Sequence, residues 1–266
     1  MNKVYICFPG GKHKALTMSY DDGREADRRL VDIFNRNGIK GTFHLNSGLF
    51  DDLRRVRPEE VRTLYEGHEV ACHTVTHPTI ARCPLPAVAR EVLDDRVALE
   101  ALTGRPVRGL SYPNGSLSPE IEAMLPACGI RYSRVVETTG GFALPENPYR
   151  WQGTCHHNHR LMELGEQFLA LNKRQYLYLM YVWGHSYEFD NQGNWDLIED
   201  FCRMMSGKDD IWYCTNIEFI DYMDDARRLR FAADNSFVSN PNAADCYISV
   251  NDQAPVCIPG GGFVRL

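Results

Sequence analysis

Short apolar runs alternate with longer stretches of helical period along most of this chain. Residues 3–8 (KVYICF) read as a strand, Pro9-Gly10-Gly11 as a turn and residues 15–20 (ALTMSY) as a first core strand, so the chain is expected to open on a hairpin. A helix follows with Ala26, Leu30, Ile33 and Phe34 on one face, and Asn37-Gly38 supplies its C-terminal stop. Strand patterns return at 39–46, 68–73, 107–115, 130–135, 177–183 and 210–216. Between them the periodicity predicts a helix opening at Pro58, then helices over 86–104, 118–129, 161–171, 195–207 and 217–231. From 136 to 160 the signal fades among Gly, Pro and Asn.

Strand followed by helix, over and over, argues for parallel βαβ units and the α/β class. About seven strands and no Gly-rich nucleotide fingerprint favour a closed or partly open (β/α) barrel over a dinucleotide-binding sheet. The polar motifs fall just after strands, where such a barrel carries its active site. Residues 232–266 differ: they hold no helical pattern, only CYISV and PVCIP around Asn251-Asp252. The division expected is a barrel over 1–231 and a small β appendage of two or three strands over 232–266, packed on it.

Composition narrows the partners. The chain has 266 residues and a net charge of −6, and no basic cluster or stripe, which excludes nucleic acid as an expected partner. There is no apolar run of membrane-spanning length and no signal-peptide core behind Met1, so the expected address is cytoplasmic, with no membrane partner. Nine cysteines at irregular spacing, none in a CxxC pair, read as free and mostly buried thiols.

Two stretches carry chemistry. In SYDDG (19–23), Asp21 and Asp22 stand where a buried strand ends. Carboxylates there are costly unless a cation or a proton neutralises them, although a turn-forming, helix-capping pair would look the same. In HTVTHP (73–78), His73 and His77 lie four apart after another strand. With one carboxylate they would make a His₂Asp set that leaves room for water, the form of a catalytic metal site. TCHHNH (154–159) offers Cys155, His156, His157 and His159 as further ligands, but a polar turn or part of a cleft is the expected reading, because adjacent imidazoles need an unusual bend to converge.

Together these residues resemble the polysaccharide deacetylase family, carbohydrate esterase family 4 with its NodB homology domain. SYDDG is similar to a first motif of the TFDDG type, with two conservative changes, and HTVTH (73–77) matches H(S/T)xxH in full. GIKGTFHLNSG (38–48) and EGHEVACHTVTHP (66–78) resemble the text around those motifs, and the likeness runs over about residues 12–222. It implies a distorted (β/α) barrel and hydrolytic removal of an acetyl group from an N-acetylated amino sugar or short glycan. It also implies Asp21 as general base and Asp22, His73 and His77 as ligands of one divalent metal, zinc by preference. VWGH (182–185) is similar to the family's L-x-x-H, which implies His185 as the general acid.

Two motifs depart from the family. Its R-x-P-Y-G is SYPNG (111–115) here. Asn114 takes the Tyr place, where a backbone N–H holds the oxyanion, and Ser111 takes the place of the Arg that orients the base. Arg108 is the nearby candidate to reach over. Arg150-Trp151 resembles an Asp-Trp pair without its Asp, and Glu188 or Asp190 is expected to set the His185 tautomer instead. Tyr112, Asn114 and Trp151 are the expected substrate contacts. The departures keep two other readings open: hydrolysis of another amide, possibly cyclic, or a catalytically silent glycan-binding barrel.

Overall fold

The computed structural model describes residues 2–266. The barrel strands in chain order are β2 (Lys14–Asp21), β3 (Gly41–Leu45), β4 (Glu69–Cys72), β5 (Gly109–Ser111), β6 (Tyr132–Thr138), β7 (Trp151–Gly153), β8 (Cys155–His156), β9 (Tyr178–Gly184) and β10 (Ile211–Tyr213), with β1 (Val4–Cys7) before them. Their order in the sheet is β7-β6-β5-β4-β3-β2-β9-β8, with β10 paired to the start of β2, and every pairing is parallel. β7 and β8, at the two ends of that order, are separated by Thr154 alone, whose amide reaches Tyr181 O at 2.7 Å. The segment 151–156 therefore pairs with β6 on one side and β9 on the other, and this nearly closes an eight-stranded barrel.

The connecting helices are α1 (Asp27–Arg36), α2 (Val61–Leu64), α3 (Leu85–Thr103), α4 (Pro119–Met124), α5 (Leu161–Ala170), α6 (Tyr187–Gln192), α7 (Trp195–Met205) and α8 (Asn216–Arg227). α1 buries Leu30, Ile33 and Phe34, the stripe its sequence predicts. β2 is buried along its whole length and lies between β3 and β9, so its last residue opens onto the middle of the barrel mouth. The expected α/β barrel is the fold observed. Its seven recognisable strands gain β7 and β8 from the stretch where the sequence pattern fades.

The start and end of the chain depart from expectation. β1 does not fold back on β2; it pairs antiparallel with β13 (Cys246–Val250), which also pairs with β14 (Val256–Ile258). A second small sheet joins β11 (Arg230–Phe231), β12 (Phe237–Ser239) and β15 (Phe263–Arg265). The hairpin fails because Phe8–Lys12 is a tight turn of its own, with Phe8 N donating to Lys12 O at 2.7 Å, and it sends β1 outward to the C-terminal strands. Residues 232–266 thus supply four strands rather than two or three. No disulfide forms among the nine cysteines. No helix among the described residues is long and apolar enough to cross a membrane.

Candidate active site

The acidic pair marks an abrupt change of backbone direction. Asp21 is the last residue of β2, and Asp22 has a φ of 80°, in the left-handed region that a β-carbon disfavours. Tertiary contacts hold it there: Asp22 N donates to His44 O at 2.9 Å, and Asp22 O accepts from the Arg55 guanidinium. The loop after β4 shows the same strain, with Thr74 at 66° and His77 at 57°. Asn46 pins that loop through its amide to His73 O (2.6 Å) and Thr74 O (3.0 Å), and buried Asp95 on α3 accepts from His73 N at 3.1 Å. Strained non-glycine residues of this kind persist only where the surroundings over-determine them, and they concentrate at functional sites.

These two corners bring Asp22, His73 and His77 together. Each offers one ligand atom, and all three atoms lie within 4.8 Å of one another. His73 Nδ1 donates to Ser111 O at 2.9 Å, which leaves Nε2 with its lone pair facing the group. Burial pushes His73 down to about 4, so it is a neutral imidazole at neutral pH. Two imidazoles and a carboxylate so placed fit a divalent cation with room for water.

Asp21 lies beside this group and behind it. Its side chain is 4 % exposed, with His73 Nε2 3.8 Å away. Burial alone would raise its carboxyl. The Arg134 guanidinium on Oδ2, assisted by His73 and His44, outweighs burial and holds Asp21 well below the usual carboxylate range. Ser111 Oγ donates to Asp21 Oδ1 at 3.1 Å and lies 2.7 Å from His73 Nδ1, joining the carboxylate to the imidazole. Arg134 itself is buried, stacks 4.3 Å above the Trp183 ring and donates to Val135 O at 3.2 Å. It escapes sequence reasoning because it lies a strand away from the motif. Ser111 on β5 and Arg134 on β6 are direct cross-strand partners, so a guanidinium reaches the carboxylate from the position beside the expected one. Its signal is a charge inside the buried first half of a strand.

His185 follows β9, on the other side of β2. Its Nδ1 lies 3.3 Å from Glu188 Oε1, as expected of one of the two candidate carboxylates; Asp190 instead accepts from Trp195 Nε1 at 2.8 Å. Burial opposes the His185 proton, but Glu188, with Asp21 and Asp22 behind it, raises its pKa. Ser186 anchors the loop by donating to buried Asp27 at 2.5 Å, and Tyr65 Oη donates to the other Asp27 oxygen at 2.6 Å.

Three sequence expectations are corrected. Arg108 is not near Asp21; both its terminal nitrogens pair with Asp221, at 3.0 and 2.6 Å. Trp151 is 1 % exposed and packed edge-on against Tyr132 and Tyr181 with Phe219 beside it, so it is core rather than cleft wall. Tyr112 is equally buried and spends its hydroxyl on Tyr149 O at 2.9 Å, so its side chain cannot meet a substrate. Asn114 is exposed on the turn after β5, with a φ of 57° and its amide 3.3 Å from Thr79 Oγ1.

Known proteins resemble this chain in sequence and in fold. Residues 9–133, which carry both corners, match the family model described as polysaccharide deacetylase. The family resemblance is borne out. Among curated relatives, a chitooligosaccharide deacetylase of Sinorhizobium fredii is 30% identical over 120 residues, covering 44% of this chain and 49% of that protein. A chitin deacetylase of Arthroderma benhamiae is 33% identical over 86 residues, covering 31% and 23%. The chain thus spans half or less of the length of these polysaccharide deacetylase relatives. Among solved structures, a family 4 carbohydrate esterase of Streptomyces lividans superposes with a TM-score of 0.53 at 14% identity, over 75% of this chain and 90% of that one. A family 4 pseudoenzyme of Bacillus anthracis gives 0.54 at 16% identity, over 82% and 68%. These structures share the barrel fold with the chain.

Proposed function

We propose that this chain is a metal-dependent hydrolase that removes the acetyl group from an N-acetylated amino sugar or short glycan. The observation that carries the reading is the convergence of Asp22, His73 and His77 within 4.8 Å, beside a buried carboxylate kept ionised by Arg134. Asp22, His73 and His77 are the ligands in this reading, and zinc is the ion first expected of two imidazoles and one carboxylate. A divalent cation there would supply Lewis acidity toward the acetyl carbonyl and lower the pKa of bound water.

The chain's own residues do the rest. Asp21 takes the proton of the attacking water; its depressed pKa keeps it unprotonated, and Arg134 and Ser111 fix its direction. His185, with a raised pKa, gives a proton to the departing amine. The backbone N–H of Asn114 is assigned to the oxyanion. The names of the relatives above make chitin oligosaccharides the substrate class to try first. One fold neighbour, an acetyl xylan esterase of Clostridium thermocellum, is described in complex with cobalt, which makes Co²⁺ a useful spectroscopic probe here. The unpaired thiols suit a reducing compartment and a soluble precursor substrate.

Arg134 weakens the silent-barrel reading, because the arginine missing at position 111 has a counterpart on the same carboxylate. Replacement of Asp22 or His73 by Ala is expected to abolish both stoichiometric metal binding and acetate release from N-acetylglucosamine oligomers. Unchanged turnover in both variants would overturn the metal reading.

A further inference from the structure

Three histidines, His185 among them, face one carboxylate, that of Glu188. His156 Nε2 lies 3.1 Å and His157 Nε2 3.0 Å from Glu188 Oε2, while Oε1 faces His185 Nδ1 at 3.3 Å. The adjacent histidines converge because His156 ends β8 and the chain turns immediately after it, with His157 N tied to Trp183 O at 2.9 Å. The His157 ring is fully buried, stacked between Tyr20 and Phe189 at 5.7 and 4.2 Å. Room for it comes from Gly184, where a β-carbon would fall 2.0 Å from His157 Nδ1.

By residue type, His156, His157 and Glu188 could hold a cation. The tautomer argues otherwise: the Asn158 amide donates to His156 Nδ1 at 3.2 Å, so the neutral ring carries its proton on Nε2, the nitrogen a cation would need free.

We propose that Glu188 is a positioning residue: one of its oxygens faces His156 and His157 at ion-pair distance without a hydrogen bond, and the other holds the Nδ1 proton of His185, leaving Nε2 as the nitrogen that exchanges a proton with the substrate. This deepens the function proposed above and rests on it for the acid role of His185. The charges that act on His185 are Glu188, Asp21 and Asp22 on one side of the balance and the neighbouring His157 on the other. Loss of Glu188 therefore removes part of its stabilisation and not all of it.

The test is histidine titration by NMR on the full chain carrying isotope-labelled histidine, in wild type, Glu188→Gln and His157→Phe. In wild type the neutral His185 ring is expected as the Nδ1–H tautomer. Glu188→Gln is expected to lower its midpoint by about one pH unit or more, and His157→Phe, which keeps the stacking but frees Glu188, by less. Where acetate release is measurable, the basic limb of kcat should move to lower pH by the same amount. A wild-type Nε2–H tautomer, an unmoved midpoint in Glu188→Gln, or a second equivalent of zinc lost in His157→Phe would overturn the proposal. A midpoint that moves while the rate profile stays fixed would support the role of Glu188 and remove His185 as the acid, so the two readings fail separately. The wild-type tautomer decides the matter even if neither variant folds.

Discussion

Arg134 and Ser111 divide between two strands what a single arginine would otherwise do, and the division was not legible in the sequence. Asp21, Asp22, His73 and His77 were legible because each pair is local and each follows a strand. Arg134 depends on lateral register, which no spacing along the chain encodes. Its ion pair with Asp21 is buried on both sides, so removing one partner strands a charge. Arg134→Ala is expected to cost about 3–5 kcal/mol in urea unfolding at neutral pH. The Asp21 carboxyl is depressed in the folded state, so its stabilisation is complete above its unfolded pKa and disappears as pH falls through the folded one. The deficit in Arg134→Ala should therefore shrink in acid, where Asp21 takes up a proton. A deficit independent of pH would mean that Arg134 acts by packing on Trp183 alone.

Elements are legible where the apolar pattern is long, and poorly legible where pairing is shared. α1 follows its helical periodicity, and β9, buried on both faces, its continuous apolar run. β7 and β8 show neither, because strands of three and two residues take their hydrogen bonds from different neighbours and have no room for a pattern. The end of β9 is built around His157, so Gly184→Ala should be destabilising by roughly 1–3 kcal/mol, the range for overpacking, read as a lowered Tm. Helix α1 carries a second test. Asp27, buried in its first turn, is raised to about 7 by burial, so the stability it lends is full below its unfolded pKa and is lost as pH rises through about 7. Asp27→Asn should therefore narrow the stability difference between mildly acid and mildly alkaline conditions, measured by urea midpoint. An unchanged difference would show that Asp27 titrates normally.

At the scale of the whole molecule, the barrel followed from the alternation of strands and helices, while the chain ends did not, because β1 finds its partner more than two hundred residues away. We propose that β1 and residues 232–266 act as one appendage on the barrel. Tyr222 on α8 ties it down by donating to Cys7 O at 2.5 Å and accepting from Tyr247 N at 3.1 Å. Truncation after Phe231 would leave β1 an unpaired edge and is expected to lower the Tm and promote aggregation; a truncated chain as stable and monomeric as the full one would refute this. The central claim is metal-dependent removal of acetyl groups. Its most direct test is acetate release from chitin oligosaccharides by metal-stripped protein titrated with zinc. The expected result is no acetate without metal and a rate that rises to a plateau at one equivalent. Acetate released at the same rate by stripped protein, or none released by folded protein with one zinc bound, would contradict it.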